Sequence, residues 1–272
     1  MAKKIYEHNF TLPLLLALLM VGILLSVYFG MNGQKDLPET EEPDESTTEP
    51  KEDEPMPPLD FKTDLSAFEA AMNPVDPTPY LLLVNKQAPL SAVYRPQSLS
   101  AVKDTHKAIE LEATAALALE AMFIEMRAAG YKDVFVTSAY RSYHYQVWLF
   151  NDYIEKEKEA AKKKNRILSD EEAREIVLRY SAAPGTSEHQ SGLCVDLMTG
   201  GMSDLDESFE DYPVFDWLSA NAWKFGYILR YPKDKTDTTL YDYEPWHYRF
   251  VGRAAAYEIY KDGLCLEEYL EK

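Results

Sequence analysis

The stretch GTSEHQSGLCVDL, residues 185–197, places His189 and Asp196 seven positions apart among small residues, where the chain turns apolar. One explanation is a buried structural pair of histidine and aspartate. Another is a metal ion, because imidazole and carboxylate groups are both common zinc ligands. The spacing alone leaves both explanations open.

A second stretch, EPWHYRF, places Glu244 three residues before His247. A zinc hydrolase needs two or three protein ligands, an open position for water, and a carboxylate that takes the proton of that water. We therefore predict that His189, Asp196 and His247 bind Zn²⁺ and that Glu244 is the general base. Positions 244 and 247 would face opposite sides of a regular strand. Pro245 disfavours such a strand, so a bend can bring both side chains to one metal.

These stretches resemble motifs of the LAS zinc metallopeptidases, and within that group the VanY-type D-alanyl-D-alanine carboxypeptidases. SEHQSGLCVD (187–196) is similar to S-x-H-x-x-G-x-x-x-D, and EPWH (244–247) to E-x-W-H. SAYRSYHYQ (138–146) resembles S-x-Y-R-S-x-x-x-Q, and residues 81–99 resemble the N-terminal stretch of the family. The four motifs occur in the family's order, and the resemblance extends over residues 80–252.

The resemblance implies roles for further residues. Arg141 would lie against the scissile carbonyl and stabilise the oxyanion, and Ser187 and Gln146 would contact the terminal residue of the substrate. Tyr140 and Trp246 are expected to form walls of the substrate site rather than to act as catalysts. From the residues alone, Arg141 could instead pair with a surface acid, and Gln146 could cap a helix.

Two cysteines occur, Cys194 and Cys265, too few for a disulfide framework in a domain of this size. Cys194 lies in an apolar run, where the family commonly has alanine, and we expect a small core residue there. A bridge to Cys265 is the less favoured alternative.

Charge is distributed unevenly along the 272 residues, whose formal net charge is -18. Residues 36–58 contain ten acidic residues and one lysine, together with six prolines. Such a segment is predicted to be a disordered, extended linker. A nucleic-acid-binding surface would need clustered Lys and Arg, so nucleic acid is not an expected partner.

The N-terminal segment, residues 1–35, has the features of a membrane anchor. Leu12 to Met31 is an uncharged apolar stretch of 20 residues, about the length that crosses a bilayer as a helix. Lys3 and Lys4 favour a cytoplasmic N-terminus, with the rest of the chain outside. Cleavage near Gly30 is the alternative, but the stretch is long for a signal peptide and has no A-x-A site.

Residues 59–272 are predicted to form one α+β domain with a central antiparallel sheet flanked by helices. The predicted helices are 106–130, 144–166, 169–182, 214–226 and 253–263. The predicted strands lie at the start of 81–99 and in 132–142, 192–199, 227–231 and 246–252.

The predicted function is that of a zinc-dependent D,D-carboxypeptidase. The resemblance implies removal of the terminal D-alanine from peptidoglycan stem pentapeptides, by a single-pass membrane protein with an extracellular catalytic domain. Two alternatives within the family are an L,D-carboxypeptidase and a peptidoglycan endopeptidase. A catalytically silent wall-binding module is a third, although such modules usually lose a ligand or the base. The sequence does not set an oligomeric state.

Overall fold

A computed structural model describes residues 55–272. The predictions of a transmembrane helix in residues 1–35 and of a disordered linker up to residue 54 lie outside these residues. Within residues 55–272, no helix is long and apolar enough to cross a bilayer. Residues Met56–Lys272 form one compact unit.

Two antiparallel sheets are present in the described residues. Their strands are β1 (Leu99–Ala101), β2 (Glu110–Glu112), β3 (Phe135–Ser138), β4 (Cys194–Met198), β5 (Tyr227–Leu229) and β6 (His247–Phe250). Strands β1 and β2 form a hairpin, and the larger sheet has the order β3-β4-β6-β5. Every neighbouring pair is antiparallel, which confirms the predicted α+β fold with an antiparallel sheet.

Eight α-helices occur within residues 55–272. They are α1 (Glu69–Met72), α2 (Ala113–Ala128), α3 (Tyr143–Lys163), α4 (Asp170–Val177), α5 (Pro213–Asn221), α6 (Thr236–Thr239), α7 (Arg253–Asp262) and α8 (Leu266–Leu270). Helix α4 begins with a capping box, in which the Ser169 hydroxyl accepts from the Glu172 amide and the Glu172 carboxylate accepts from the Ser169 amide. The two residues thus satisfy each other's backbone amides at the start of the helix.

The register of the larger sheet separates an apolar face from a polar one. Asp196 lies opposite His247, and Cys194 lies opposite Arg249. Because side chains alternate along a strand, these four point to the same face. The other face carries the buried side chains of Val195, Leu197, Tyr227, Tyr248 and Phe250. The sheet thus presents its chemically active residues on the side away from the main core.

Helix α2 covers the apolar face and contributes seven of the 25 buried residues of the main core. Ala115, Leu119, Met122 and Met126 are buried at helical spacing and belong to the same cluster as the inner residues of β4, β5 and β6. Fully burying a side chain such as Leu or Met contributes about 1.5–3 kcal/mol. This packing makes the sheet a rigid support for the residues on its opposite face.

The predicted start of the helix 106–130, which corresponds to α2, is wrong. Residues 106–112 are not helical, because residues Glu110–Glu112 pair with β1. The Glu112 carboxylate then accepts from the amides of Thr114 and Ala115 and caps α2. Strand pairing that is distant in sequence overrides the helical pattern at this end.

The predicted strand at the start of residues 81–99 is also wrong. A 3-10 helix spans Thr78–Leu81, and the chain after it is irregular until β1. The carbonyls of Tyr80 and Leu82 each accept from Arg249 Nη2 at 2.8 Å. These two carbonyl groups therefore have a buried guanidinium, and not a neighbouring strand, as their hydrogen-bond donor.

Two further differences concern helices: one ends earlier than predicted, and another was not predicted. Helix α4 stops at Val177 instead of continuing to residue 182, because residues 178–182 turn towards the cleft described below. Helix α8 has no counterpart in the sequence-based prediction. It packs Leu266 into a second cluster with Ile228 and the residues of α7.

Candidate active site

The candidate metal ligands meet at the centre of the sheet. His189 lies on a 3-10 turn, Glu188–Ser191, that leads into β4. Gly192 ends this turn with φ of 70°, a left-handed conformation that glycine adopts at little cost. A Cβ atom there would lie 2.8 Å from Pro96 Cγ. The glycine of the motif therefore lets the chain reverse so that His189 approaches Asp196.

Asp196 lies within hydrogen-bonding distance of both predicted histidine ligands. Asp196 Oδ2 is 3.1 Å from His189 Nε2, and Asp196 Oδ1 is 3.1 Å from His247 Nδ1. The two imidazole rings are nearly perpendicular, with centroids 5.0 Å apart. All three residues are buried, and their polar atoms converge on a small space.

Hydrogen bonds orient both imidazoles towards that space. His189 Nδ1 donates to the Ala139 carbonyl at 2.7 Å, which leaves Nε2 as the nitrogen that can bind a metal. His247 Nε2 donates to Glu188 Oε2 at 3.1 Å, which leaves Nδ1. Histidines that bind metals usually donate their other nitrogen in this way, which fixes the ring and its tautomer.

Glu244 lies beside the ligands because the chain bends before β6. His247 N donates to the Glu244 carbonyl, and Glu244 N donates to the Tyr231 carbonyl, both at 3.2 Å. The resulting turn contains Pro245 and brings Glu244 Oε2 to 3.3 Å from His247 Nδ1. Its side chain keeps 24% of its surface exposed, so this carboxylate borders both the ligands and the cleft.

The unsatisfied hydrogen-bonding capacity of Asp196 indicates a cation. Its Oδ1 atom is buried and has no hydrogen-bond partner, although it lies 3.1 Å from His247 Nδ1. A buried carboxylate oxygen without a donor is costly, and a shared metal ion would satisfy both atoms at once. Two imidazole nitrogens and one carboxylate form a donor set that suits Zn²⁺. The residues present therefore fit the zinc ion that the sequence predicts.

The pKa shifts of the cluster arise from the contacts among these same residues. Burial and the Arg141 charge oppose protonation of His189, but Asp196 outweighs both and raises its pKa to about 9. Burial similarly opposes a charge on His247, whose pKa is nevertheless raised well above its usual range, with contributions from Cys194 and Asp196. Despite its burial, the two histidines hold the pKa of Asp196 well below its usual range. The carboxylate is ionised and attracts a positive charge into the cluster.

A cleft with a volume of about 580 Å³ opens onto the cluster, a size typical of sites for small ligands. Arg141, Ser187, Glu244 and Trp246 line it together with the candidate metal ligands. The Arg141 amide donates to the His189 carbonyl at 3.1 Å. Arg141 Nε is buried without a partner, so its guanidinium has donor capacity to offer.

Comparisons with known proteins agree with this geometry. The family model described as VanY, D-alanyl-D-alanine carboxypeptidase, matches residues 108–253. YodJ of Bacillus subtilis is 36% identical over 216 residues, which cover 76% of this chain and 72% of YodJ. The chain belongs to the VanY family of D-alanyl-D-alanine carboxypeptidases.

Two solved structures support the assignment. The LD-carboxypeptidase LdcB has a TM-score of 0.61 and 35% identity, with coverage of 73% of this chain and 88% of LdcB. The vancomycin-resistance D,D-pentapeptidase VanY, solved in complex with Zn(II), has a TM-score of 0.57 and 36% identity. That match covers 71% of this chain and 99% of the other. This VanY-family chain is accordingly an enzyme, a zinc-dependent carboxypeptidase.

Two predicted substrate-binding residues lie outside the lining of the main cleft. Gln146 is buried in the first turn of α3, and its Nε2 donates to the Ala182 carbonyl at 2.8 Å. Ala182 itself lines the cleft, so Gln146 supports the wall from behind. Tyr140 lines a neighbouring hollow that shares Arg141 and Asp196 with the main cleft.

Sequence reasoning missed the residue that holds His247, which is Glu188. Its Oε1 accepts from Arg230 Nε at 2.8 Å and from Arg249 Nη1 at 2.6 Å. Arg230 in turn donates to both carboxylate oxygens of Glu267. Burial alone would raise the pKa of Glu188, but the two guanidinium groups lower it below its usual range. One feature of the sequence could have indicated these contacts. The mostly apolar segments YILRY and HYRF each contain a single arginine, and an arginine in such a segment indicates a buried ion pair.

Both cysteines are free and buried, and the disulfide that the sequence left open is not formed. Cys194 is buried as expected of a core residue, but it lies on the polar face of the sheet. One ring nitrogen each of His189 and His247 lies within 4.8 Å of its Sγ. The thiol therefore belongs to the metal cluster by position.

Proposed function

We propose that this enzyme removes the terminal D-alanine from peptidoglycan stem pentapeptides, with Glu244 as general base and then general acid. The observation that carries the proposal is the position of the Glu244 carboxylate. It lies at the edge of the cleft and 3.3 Å from a ring nitrogen of the candidate ligand His247. A base placed there borders both the residues that would hold the metal and the cleft that would hold the substrate.

Each residue then has a defined part in hydrolysis. His189, Asp196 and His247 would hold Zn²⁺, which supplies a water of lowered pKa and polarises the scissile carbonyl. Glu244 accepts the proton of the attacking water and delivers it to the amine that leaves. Arg141 donates to the oxygen that becomes negative, an interaction that strengthens as the charge develops.

A cationic group of the cleft suits a substrate with a free carboxyl terminus. Arg179 belongs to the lining, which also contains the acidic residues Asp204, Asp206, Glu207 and Asp242, and guanidinium binds carboxylate in bidentate fashion. Ser187 also lines the cleft and can add a hydroxyl donor. These groups support a carboxypeptidase, because an endopeptidase has no terminal carboxylate to recognise at this position.

We also propose that the enzyme works outside the cell, anchored by its N-terminal segment. The apolar stretch Leu12 to Met31 and the preceding Lys3 and Lys4 support this orientation. The 23 residues 36–58, if extended, would reach about 70 Å at about 3.1 Å per residue. That reach is sufficient for substrates in the cell wall above the membrane.

A second candidate is an L,D-carboxypeptidase that trims tetrapeptide stems. The observation that favours it is the similarity to LdcB, an LD-carboxypeptidase whose TM-score of 0.61 is slightly above that of VanY. The two activities share the metal cluster and the base, and they differ in the stereochemistry of the residue before the cleaved bond. Side chains lining the cleft therefore decide between them.

The deciding experiment uses the full-length, zinc-loaded protein in detergent. It is incubated separately with a pentapeptide stem ending in D-Ala-D-Ala and with the matching tetrapeptide, and products are identified by mass spectrometry. Loss of one alanine from the pentapeptide alone supports the D,D-carboxypeptidase. Loss from the tetrapeptide alone supports the L,D activity. If the zinc-bound protein acts on neither stem, a cross-linked stem dimer is tested as a third substrate. Cleavage of the dimer then indicates an endopeptidase. An uncut dimer indicates a wall-binding module.

A further inference from the structure

Cys194 occupies a position from which a thiol can reach the metal cluster. It precedes Asp196 by two residues on β4, so the two side chains share a face of the sheet. Its side chain is fully buried and free of any disulfide. Sγ and one nitrogen of each of His189 and His247 all lie within 4.8 Å of one another.

These separations are close to those of a tetrahedral zinc site. Zn–N bonds of about 2.0–2.1 Å and Zn–S bonds of about 2.3 Å place neighbouring ligand atoms roughly 3.4–3.7 Å apart. The observed limit of 4.8 Å therefore requires the ligand atoms to move together by about 1 Å. Asp196 is not part of this group of three, and it joins the site through its 3.1 Å contacts to both histidines. Oδ1 of Asp196 is an independent indication of a ligand at this place, because it is buried there without a hydrogen-bond partner.

We propose that Cys194 is a fourth zinc ligand of the substrate-free enzyme, beside His189, Asp196 and His247. This inference rests on the proposed function, since it presupposes a zinc ion in the cluster. When Cys194 binds, its S–H bond breaks, the S–Zn bond forms, and the proton passes to solvent. Coordination by Zn²⁺ deprotonates a thiol outright.

A thiolate ligand changes how the site holds its metal. Four protein ligands close the tetrahedron, and closed sites are those that retain zinc. Soft thiolate ligands also favour Zn²⁺ over Mg²⁺, Ca²⁺ and Mn²⁺. During turnover water needs a place, which is made by release of Cys194 or by expansion to five ligands. Cys194 thus secures zinc while the cleft is empty.

The alternative is that Cys194 is a small buried side chain without a bond to the metal. In that case the enzyme would hold zinc through nitrogen and oxygen atoms alone, and removing the sulfur would leave the metal environment unchanged. The two possibilities differ in the atoms bound to zinc, so they are separated by spectroscopy without reference to activity.

The test compares the full-length enzyme with Cys194→Ala, Cys194→Ser and the matched control Cys265→Ser. Cys265 precedes α8, where its side chain takes part in a capping box, and serine preserves such a cap. X-ray absorption at the zinc edge should show one sulfur at about 2.3 Å in the wild type and in Cys265→Ser. Both Cys194 variants should lack it, and the cobalt-substituted forms should show the matching loss of the near-ultraviolet thiolate-to-cobalt band.

Chelator competition provides the second measurement. Zinc should dissociate from the Cys194 variants at a chelator concentration at least tenfold lower than from the wild type and from Cys265→Ser. A wild-type spectrum with nitrogen and oxygen neighbours only would overturn the inference and leave the proposed function standing. Equal zinc retention by all four proteins would also overturn it. A wild-type enzyme that binds no stoichiometric zinc would overturn both.

Discussion

Asp196 and His247 lie directly opposite each other on β4 and β6, with Oδ1 3.1 Å from Nδ1. The register of one strand pair therefore sets the distance between two candidate metal ligands that are 51 residues apart in the sequence. A shift of one residue would turn either side chain to the apolar face. Metal binding and correct strand pairing are thus coupled in this fold.

Replacing Glu244 by Gln should abolish the general base and leave the zinc ligands in place. We expect kcat to fall about 10²- to 10⁴-fold, the usual contribution of general acid–base catalysis. The measurement is the initial rate on a stem pentapeptide, with zinc content determined on the same sample. Retention of more than half of the wild-type rate at full zinc occupancy would show that Glu244 is not the base.

Arg141→Lys should reduce catalysis without loosening the metal. Lysine keeps the charge but lacks the planar set of donors that a guanidinium offers, so kcat should fall about 10²- to 10³-fold, as for loss of an oxyanion donor. Zinc affinity should stay within about twofold of the wild type, because the bond to the His189 carbonyl comes from the Arg141 backbone. A fall in zinc affinity equal to the fall in kcat would instead indicate a structural role.

Glu188→Gln should weaken both the fold and the metal site. Breaking a buried ion pair typically costs about 3–5 kcal/mol of unfolding free energy, and here it leaves Arg230 and Arg249 without their shared carboxylate. The bond to His247 also weakens, and loss of such a partner lowers zinc affinity about 10- to 100-fold. Urea unfolding measures the first effect, and chelator competition measures the second.

Glu267→Gln is the matched control for this variant. Glu267 accepts from Arg230 at 2.7 and 2.8 Å, but the bond to His247 comes from Glu188. The control should therefore lose stability while its zinc affinity changes by less than about twofold. If both variants lose zinc equally, general destabilisation rather than orientation of His247 explains the effect.

Zinc uptake should release protons at neutral pH. The pKa of His189 is raised from 6.5 to about 9, so without metal its imidazole is protonated at pH 7, whereas a ligand must be neutral. Affinity should therefore rise between pH 7 and pH 9, by about tenfold per pH unit for each displaced proton, and His247, whose pKa is also raised, adds a second proton to the count. Calorimetry in two buffers of different ionisation enthalpy measures the proton count. Identical heats in both would contradict the prediction.

The same shift gives the pH dependence of the metal-free protein. A raised pKa in the folded state stabilises the fold fully below pH 6.5, and this contribution is lost as the pH rises through about 9. The melting temperature of the zinc-free protein should therefore fall over this range. The zinc-loaded protein, in which His189 is a neutral imidazole, should not show this decrease.

The candidate ligands could be recognised because histidine, aspartate and glutamate are few among the residues of SEHQSGLCVD and EPWH. The structure brings them together, and their binding of a metal stays a prediction. The helix α3 and the strands β3 to β6 were recognisable from their apolar patterns and flanking residues. The segments before α2 were predicted wrongly, because their conformation depends on partners elsewhere in the chain. Residues 110–112 pair with β1, and the carbonyl of Leu82 is taken by Arg249.

Residue types and local spacing are properties of the sequence; they determined the class of fold, and they predict the metal-binding residues and the base. Only the tertiary structure decided that Glu188 holds His247 and is itself held by Arg230 and Arg249. These partners are 42 to 61 positions away from it, and no local pattern encodes such pairings. Strand register and burial bring them together, because buried charges are stable only when paired and hydrogen-bonded. The same register places the thiol of Cys194 beside the two imidazoles.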